Sequence, residues 1–133
     1  VFVATAAVAD WRPAQSSEHK VKKDGSGQAP TLSLVENPDI LATVAALPAN
    51  QRPWCVGFAA ESQDVVRLAR AKRLRKGVPL IVGNLGPATF GRDENTLVLV
   101  DERGEVELPT GHKLALAREL VRQIASRLPT SAT

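Results

Sequence analysis

The 133-residue sequence has no tyrosine, no methionine and a single cysteine, and aromatic residues make up only 4% of it. A single cysteine excludes an internal disulfide. Because Cys55 lies in the apolar run WCVGF, we expect a buried thiol in a reducing compartment. Few aromatic residues and a formal net charge of only +3 are atypical of a nucleic-acid-binding protein. The composition favours a small anionic ligand instead.

Long apolar runs and metal-ligand spacings are also absent. No apolar run approaches the ~20 residues of a membrane-spanning helix, so we expect a cytoplasmic protein without a membrane partner. Neither His19 nor His112 has further ligands at zinc-binding spacing. Walker loops, the dinucleotide fingerprint and Ser-His-Asp or Cys-His arrangements are not found. The metal ligands of any site therefore stay unknown at this stage.

Apolar runs of strand length alternate with helical patterns along the chain. Strands are predicted over residues 2–9, 32–35, 54–60, 79–83 and 96–100. A tight turn at Arg103-Gly104 predicts an antiparallel hairpin between 96–102 and 105–108. The alternation predicts one α/β domain over 1–133 on a mainly parallel sheet. Because the chain opens inside a strand-like run, we expect native sequence upstream of Val1.

Three helices are predicted between these strands. Asn37 and Pro38 open the first, as N-cap and first helical residue. The second runs from Ser62 to Lys76 and ends at Gly77. The third covers about 112–128, with a buried stripe predicted at Leu114, Ala117, Val121, Ile124 and Leu128.

Asp10 follows the predicted strand 2–9, whose alanines leave the backbone open to close approach. Ligands of parallel sheets bind beyond the carboxyl ends of the strands, so Asp10 is a candidate contact for a polar ligand or its metal ion. Alternatively, Asp10 caps a turn at residues 11–13 and the alanines only pack under a helix. The residues alone leave both interpretations open.

Lys20, Lys22 and Lys23 lie in a polar, glycine-ended segment, where we predict a flexible lysine loop over about 14–30. Such a loop supplies positive charge to phosphates once the anion is bound. A solvated run of surface charge is the alternative.

The second helix carries two lysines on its apolar stripe. A rotation of 100° per residue places Lys72 and Lys76 within about 20° of Val65, whereas Arg67, Arg70 and Arg73 are predicted on the solvated face. Two ammonium groups one turn apart favour a polyphosphate ligand. Alternatively, the lysines extend into solvent from the end of a buried stripe.

Two further features are less specific. Phe58, late in a strand, is either a core residue or an aromatic wall against a nucleobase. The segment Asn37-Pro38-Asp39-Ile40 offers backbone N–H groups at a helix start, a common site for anions or base edges.

Taken together, these stretches resemble the phosphopantothenoylcysteine synthetase domain of bacterial bifunctional coenzyme A biosynthesis proteins. The similarity covers nearly the whole chain. It rests on AAVADWRP (6–13), HKVKK (19–23), LSLVENPDIL (32–41), VGFAAES (56–62), AKRLRKG (71–77) and PLIVGN (79–84), in the family's order and spacing.

The resemblance implies a Rossmann-like three-layer α/β domain that acts as a homodimer. It implies a ligase that joins 4'-phosphopantothenate to cysteine with CTP and Mg²⁺ through an acyl-cytidylate. A flavin-dependent decarboxylase domain, which carries FMN, would be fused to it or associated with it. The family's first glycine-rich strand and loop are not among these 133 residues, so this chain alone could bind nucleotide and yet be inactive.

The resemblance also assigns residues. Nucleotide contacts match Asp10, Lys20, Asn37, Pro38, Asp39, Ile40, Phe58, Lys72 and Lys76. Ala6 and Ala7 match positions that hold the acyl-cytidylate, and Lys20 matches the lysine that converts this intermediate into product. Three alternatives remain: an ATP-dependent ligase of the same chemistry, a non-catalytic module binding nucleotides or nucleic acid, and a plain α/β domain with solvated lysines.

Overall fold

The computed structural model describes residues 1–23, 25–86 and 91–129. Residues 1–5 and the chain from 41 onward form one compact unit, the larger unit, and residues 6–40 form a second, the smaller unit. The elements follow in the order β1 (Phe2–Val3), β2 (Trp11–Pro13), β3 (Leu34–Glu36), α1 (Ile40–Ala45), β4 (Cys55–Glu61), α2 (Val65–Lys76), β5 (Leu80–Leu85), β6 (Glu94–Val100), β7 (Glu105–His112) and α3 (Lys113–Ala125).

The larger unit is built on a five-stranded sheet in the order β1-β4-β5-β6-β7. β1 and β5 pair with β4 in parallel, whereas β6 pairs with β5, and β7 with β6, in antiparallel fashion. The predicted hairpin is therefore confirmed. Its turn is closed by the Asp101 amide, which donates to the Gly104 carbonyl at 3.0 Å, and Gly104 has a positive φ of 140°.

Helices cover both faces of this sheet, because β4 and β5 are apolar on both sides. One face packs against α3 through a cluster that includes Val56, Leu80, Leu99, Leu116 and Leu120. The other face packs against α1 and α2 through a second cluster that includes Cys55, Ala59, Ala69, Ile81 and Val100. The α/β class and the layered arrangement are thus confirmed, and so is the burial of Cys55.

In the smaller unit, β2 and β3 form an antiparallel pair. β2 and β3 align Trp11 with Glu36 and Pro13 with Leu34, and all six strand residues are exposed. Residue 24 of the predicted lysine loop 14–30 lies outside the described residues. The flexibility of that loop stays a prediction.

Several predicted boundaries are wrong. The strand predicted over 2–9 ends at Val3, because pairing with β4 stops at Val56 and the alanines that follow have little apolar surface to bury. Residues 11–13, where no strand is predicted, form β2. α2 begins at Val65 instead of Ser62, although Gly77 ends it as predicted with φ 64°.

The predicted stripe of α3 is also wrong in part. Leu116, Leu120 and Ile124 are its buried residues, whereas Leu114 and Val121 are 55% and 64% exposed. The helix carries two neighbouring apolar rows, and the pattern alone did not separate them. No helix within the described ranges is long and apolar enough to cross a membrane.

Candidate functional site

The two predicted lysines of α2 lie on the side of the helix that faces the sheet. Ala69 is fully buried and Lys72 and Lys76 are half-buried, while Arg67 and Arg70 are exposed. The helix-face prediction for the lysines is therefore confirmed. Arg73, predicted to be solvated, is instead half-buried, because about 80° separates it from Val65 and puts it at the margin of the stripe.

Lys72 contacts the backbone of the neighbouring strand. Its Nζ donates to the Phe58 carbonyl oxygen at 2.6 Å. β1 pairs with β4 only at Cys55 and Val56, so Phe58 lies two residues past the last paired position. The ammonium group thus lies beside the part of β4 that β1 leaves uncovered, where a ligand can approach the main chain.

The Phe58 ring lies on the other face of the sheet from α2. It packs against the cluster formed with α3, in agreement with a core role, and it lines an apolar cavity of about 290 Å³ together with Thr5, Asn95 and Lys113. A base stacked on this ring and a phosphate at Lys72 would therefore approach β4 from opposite faces. The structure brings Lys72 to the Phe58 main chain, not to its ring face.

In the smaller unit, Asn37 and Arg12 organise the predicted ligand segment. The Asn37 amide group donates to the Ala9 carbonyl at 2.7 Å, and its backbone N–H donates to the Asp10 carbonyl at 2.8 Å. Arg12 Nη1 donates to Asn37 Oδ1 at 2.9 Å and to the Glu36 carbonyl at 3.1 Å. These contacts fix the Asp10 backbone beside Asn37.

The structure corrects the predicted start of the first helix and decides one alternative that the sequence leaves open. α1 begins at Ile40, so Pro38 is not its first helical residue, and Asn37 uses its side chain on the 9–12 segment rather than as the predicted N-cap. Asp10 precedes a strand, so the alternative that it caps a turn at 11–13 is wrong. α1 has only six residues, so its dipole attracts an anion weakly. The prediction that residues 37–40 bind an anion because they begin a helix is therefore weakened.

The remaining predicted residues of the smaller unit lie at its surface. Asp10, Lys20, Ala6, Ala7 and Ile40 are exposed, and Ile40 is 51% exposed despite being apolar. Pro38 is exposed and Asp39 half-buried. Their assignment to a nucleotide or an acyl-cytidylate stays a prediction.

Sequence reasoning misses the roles of Arg12 and Arg73. No strand is predicted at 11–13, where a turn is only an alternative interpretation, and the pairing of these residues with 34–36 places Arg12 beside Asn37. Arg73 Nε is buried without a hydrogen-bond partner.

Burial raises the pKa of the Cys55 thiol, and the Arg52 guanidinium opposes that shift.

A cavity of about 1310 Å³ lies elsewhere, between the outer side of α2 and the β6–β7 hairpin, and no predicted site residue lines it. Its charges are already compensated in part, since Arg67 pairs with Asp64 and Arg70 with Glu105. Among the described residues, no three histidine, cysteine, aspartate or glutamate side chains cluster as a metal site.

Comparisons with known proteins identify similar chains. Coenzyme A biosynthesis bifunctional protein CoaBC of Vibrio cholerae serotype O1 is 42% identical over 131 residues, which cover 96% of this chain and 33% of that protein. The protein of the same name from Escherichia coli K12 is also 42% identical, over 96% of this chain and 32% of its own length. The chain therefore spans about a third of the curated relatives it matches.

Solved structures show the same fold. A crystal structure of the C-terminal domain of CoaBC superposes with a TM-score of 0.66 at 30% identity, covering 93% of this chain and 53% of that one. The DNA/pantothenate metabolism flavoprotein from Streptococcus pneumoniae has a TM-score of 0.65 at 20% identity, covering 92% of this chain and 61% of that one. A family model described as the DNA/pantothenate metabolism flavoprotein C-terminal domain matches residues 1–128. The chain belongs to that family.

Proposed function

We propose that this chain is the nucleotide-binding part of a phosphopantothenate–cysteine ligase of coenzyme A biosynthesis, with CTP as its nucleotide. The observation that carries the proposal is the position of Lys72, half-buried on the sheet-facing side of α2 with its ammonium at the uncovered part of β4. The relatives named for coenzyme A biosynthesis support it, since each is 42% identical to this chain over 96% of the chain's length.

The chemistry explains why such a chain would need several cations. The carboxylate of 4'-phosphopantothenate is a poor acyl donor, so it first attacks the α-phosphate of CTP and releases pyrophosphate. The amine of cysteine then attacks the acyl-cytidylate and displaces CMP. Bringing a triphosphate and a second phosphate together requires positioning and charge stabilisation, which lysines provide.

The residues divide by role. Lys72 and Lys76 would bind the triphosphate from α2, and Phe58 would contribute through its backbone carbonyl, which Lys72 contacts. In the smaller unit, Asp10 and residues 37–40 would contact nucleotide, Ala6 and Ala7 would contact the acyl-cytidylate, and Lys20 would stabilise charge on the phosphate during the attack of the amine.

Mg²⁺ would accompany the nucleotide. It fits the described residues as a nucleotide-borne ion, because Mg²⁺ keeps several waters and is bound through one or two carboxylates and phosphate oxygens rather than an all-protein cage. Asp10, which is exposed, would be one such carboxylate. When bound, the ion would neutralise phosphate charge. The homodimer and the FMN-carrying decarboxylase partner belong to the same proposal.

The reaction is tested by measuring pyrophosphate release. The assay contains CTP, Mg²⁺, 4'-phosphopantothenate and cysteine, and the protein is this chain extended upstream. We expect release that requires phosphopantothenate. In Lys20→Ala, pyrophosphate should still form once per site while the cysteine-containing product falls at least tenfold, because the second step is impaired. Lys22→Ala, in the same exposed segment, is the matched control. Equal loss in both variants, or release without phosphopantothenate, would refute these roles.

A further inference from the structure

A strand pair in the smaller unit brings together the two segments that carry most of its predicted nucleotide contacts. The first segment ends at Asp10, just before β2, and the second begins at Asn37, just after β3. The Asn37 backbone N–H donates to the Asp10 carbonyl oxygen at 2.8 Å, and at the other end of the pair the Ala14 N–H donates to the Ser33 carbonyl oxygen at 2.8 Å. The two segments therefore meet at one end of this strand pair.

Asn37 uses both ends of its side-chain amide inside the protein. Its Nδ2 donates to the Ala9 carbonyl oxygen at 2.7 Å, and its Oδ1 accepts from Arg12 Nη1 at 2.9 Å. Turning this amide toward a ligand would break both hydrogen bonds. The geometry therefore favours a positioning role for the Asn37 side chain and leaves the nucleotide contacts of its segment to the backbone and to residues 38–40.

Arg12 joins the side chain of Asn37 to the main chain of β3. The same Nη1 that donates to Asn37 Oδ1 also donates to the Glu36 carbonyl oxygen at 3.1 Å. A terminal guanidinium nitrogen carries two N–H bonds in a fixed plane, so one nitrogen can serve two acceptors at a defined angle. Arg12 is exposed and Asn37 half-buried, so water competes for these hydrogen bonds and their contribution to the stability of the fold should be small.

We propose that Arg12 is a positioning residue of the nucleotide site and that it acts on nucleotide binding through Asn37. This inference rests on the proposed function, because it takes Asp10 and residues 38–40 as nucleotide contacts. By holding Asn37 against Ala9 and Asp10, Arg12 fixes the spacing of the two contacting segments before the ligand binds. Contacts that are ordered in advance bind more tightly, because binding does not have to supply the ordering.

Equilibrium dialysis of this chain with Mg²⁺ and CTP measures the effect of this pair on binding. Arg12→Met and Asn37→Ala should each weaken CTP binding by roughly tenfold. In the double variant, the loss should equal that of Asn37→Ala alone to within about twofold, because Arg12 then has no side chain to act through. Lys22→Met removes an exposed cation from the same unit and, as the matched control, should leave binding within about twofold of the unmodified chain.

Other roles for Arg12 predict different results. A direct contact between Arg12 and the nucleotide predicts that the full loss in Arg12→Met persists in the Asn37→Ala background. A purely structural role predicts a lower melting temperature with an unchanged CTP affinity, measured well below that temperature. Simple attraction of the phosphates predicts that Arg12→Lys, which keeps the charge but not the planar donors, recovers binding, whereas positioning predicts that most of the loss remains. Each of these three results would overturn the proposal.

Amide hydrogen exchange tests the positioning without any nucleotide. In Arg12→Met, the Asn37 backbone N–H should exchange roughly fivefold faster, while the Ala14 N–H at the far end of the strand pair should stay within about twofold. Unchanged exchange at Asn37 would overturn the positioning role whether or not CTP binds. If exchange responds as expected but the unmodified chain does not bind CTP, the proposed function is overturned, and the role of Arg12 in nucleotide binding with it.

Discussion

Asp101 and Arg127 form an ion pair that joins the end of β6 to the residues after α3. Arg127 Nε lies 2.9 Å from Asp101 Oδ2, and the two side chains are only 13% and 14% exposed. Burial acts to raise the pKa of Asp101. The hydrogen bond from Arg127 and those from the Arg103 and Gly104 backbone outweigh burial, so the pKa lies below its ordinary value of 3.8. The folded state therefore favours the ionised carboxylate.

The pH dependence follows from this direction. A carboxyl group whose pKa is lowered by folding stabilises the fold fully above its unfolded pKa, and the stabilisation is lost as the pH falls through the folded value. We predict that Asp101→Asn lowers the free energy of unfolding by about 2 kcal/mol at pH 7. The difference from the parent should shrink below about pH 4. Urea unfolding at pH 7 and pH 3 measures both quantities.

Glu102→Gln, at the exposed neighbouring position, is the control for a general effect of charge. It should leave the free energy of unfolding at pH 7 nearly unchanged. A loss in Asp101→Asn that stays constant from pH 7 to pH 3 would show that the carboxylate charge is not what stabilises this contact.

Individual side chains differ in how far the sequence predicts them. The faces of Lys72 and Lys76 follow from helical rotation, which the backbone fixes, and the burial of Cys55 follows from its apolar neighbours. The contacts of Arg12, Asn37 and Arg73 are not predictable in this way, because they depend on strand pairing over more than 20 residues or on the exact margin of a stripe. Long-range pairing leaves no local pattern.

Gly83 determines how closely α2 approaches the sheet. A methyl group at Gly83 would lie 2.6 Å from Val65 Cγ1 and 3.5 Å from Ala69 Cβ. Val65 is β-branched, so its side chain has little freedom to move away. The small residue in β5 therefore allows the helix that carries Lys72 to pack directly on the strand.

We predict that Gly83→Ala lowers the free energy of unfolding by about 1–3 kcal/mol through overpacking. Combining it with Val65→Ala, which removes the clashing methyl, should give a double variant whose loss is smaller than the sum of the two single losses. Chemical denaturation of the four proteins measures the coupling. Strict additivity would mean that α2 does not contact β5 in this way.

α3 offers a direct test of which apolar row faces the core. Leu120 is 7% exposed and belongs to the core cluster, while the adjacent Val121 is 64% exposed. Leu120→Ala should lower the free energy of unfolding by about 2–5 kcal/mol because it leaves a cavity. Val121→Ala should change it by no more than about 0.5 kcal/mol. Equal losses at both positions would indicate that a further element covers the second row.

Element prediction succeeds where long apolar or amphipathic segments are available. β4, β5, the β6–β7 hairpin and α2 are predicted to within a few residues. The strand predicted over 2–9 is too long, because the alanines and valines of this run favour a strand even where no partner strand continues. β2 is not predicted, because Trp-Arg-Pro resembles a turn. Whether an edge strand continues depends on its neighbour, which local pattern does not encode.

For the molecule as a whole, the fold class follows from the sequence and is confirmed, and the relatives agree with the predicted likeness to bifunctional coenzyme A biosynthesis proteins. The assignment to the synthetase domain of those proteins stays a prediction. The proposed site residues fall in both compact units. Phe58, Lys72 and Lys76 belong to the larger unit, and Asp10, Lys20 and residues 37–40 to the smaller one. The nucleotide assignment is thus the claim on which the proposed function depends most.

Thermal unfolding of this chain with Mg²⁺ and CTP tests that claim most directly. The same measurement is made with ATP and with UTP. It is repeated on Lys72→Ala and on the control variant Arg75→Ala. At about 100 times the dissociation constant, CTP should stabilise the folded chain by about 2.7 kcal/mol. ATP and UTP should give smaller shifts, because a site that hydrogen-bonds one base edge rejects others. We expect a CTP shift that Lys72→Ala abolishes and Arg75→Ala retains. No shift, or a shift that survives in Lys72→Ala, would contradict the nucleotide assignment.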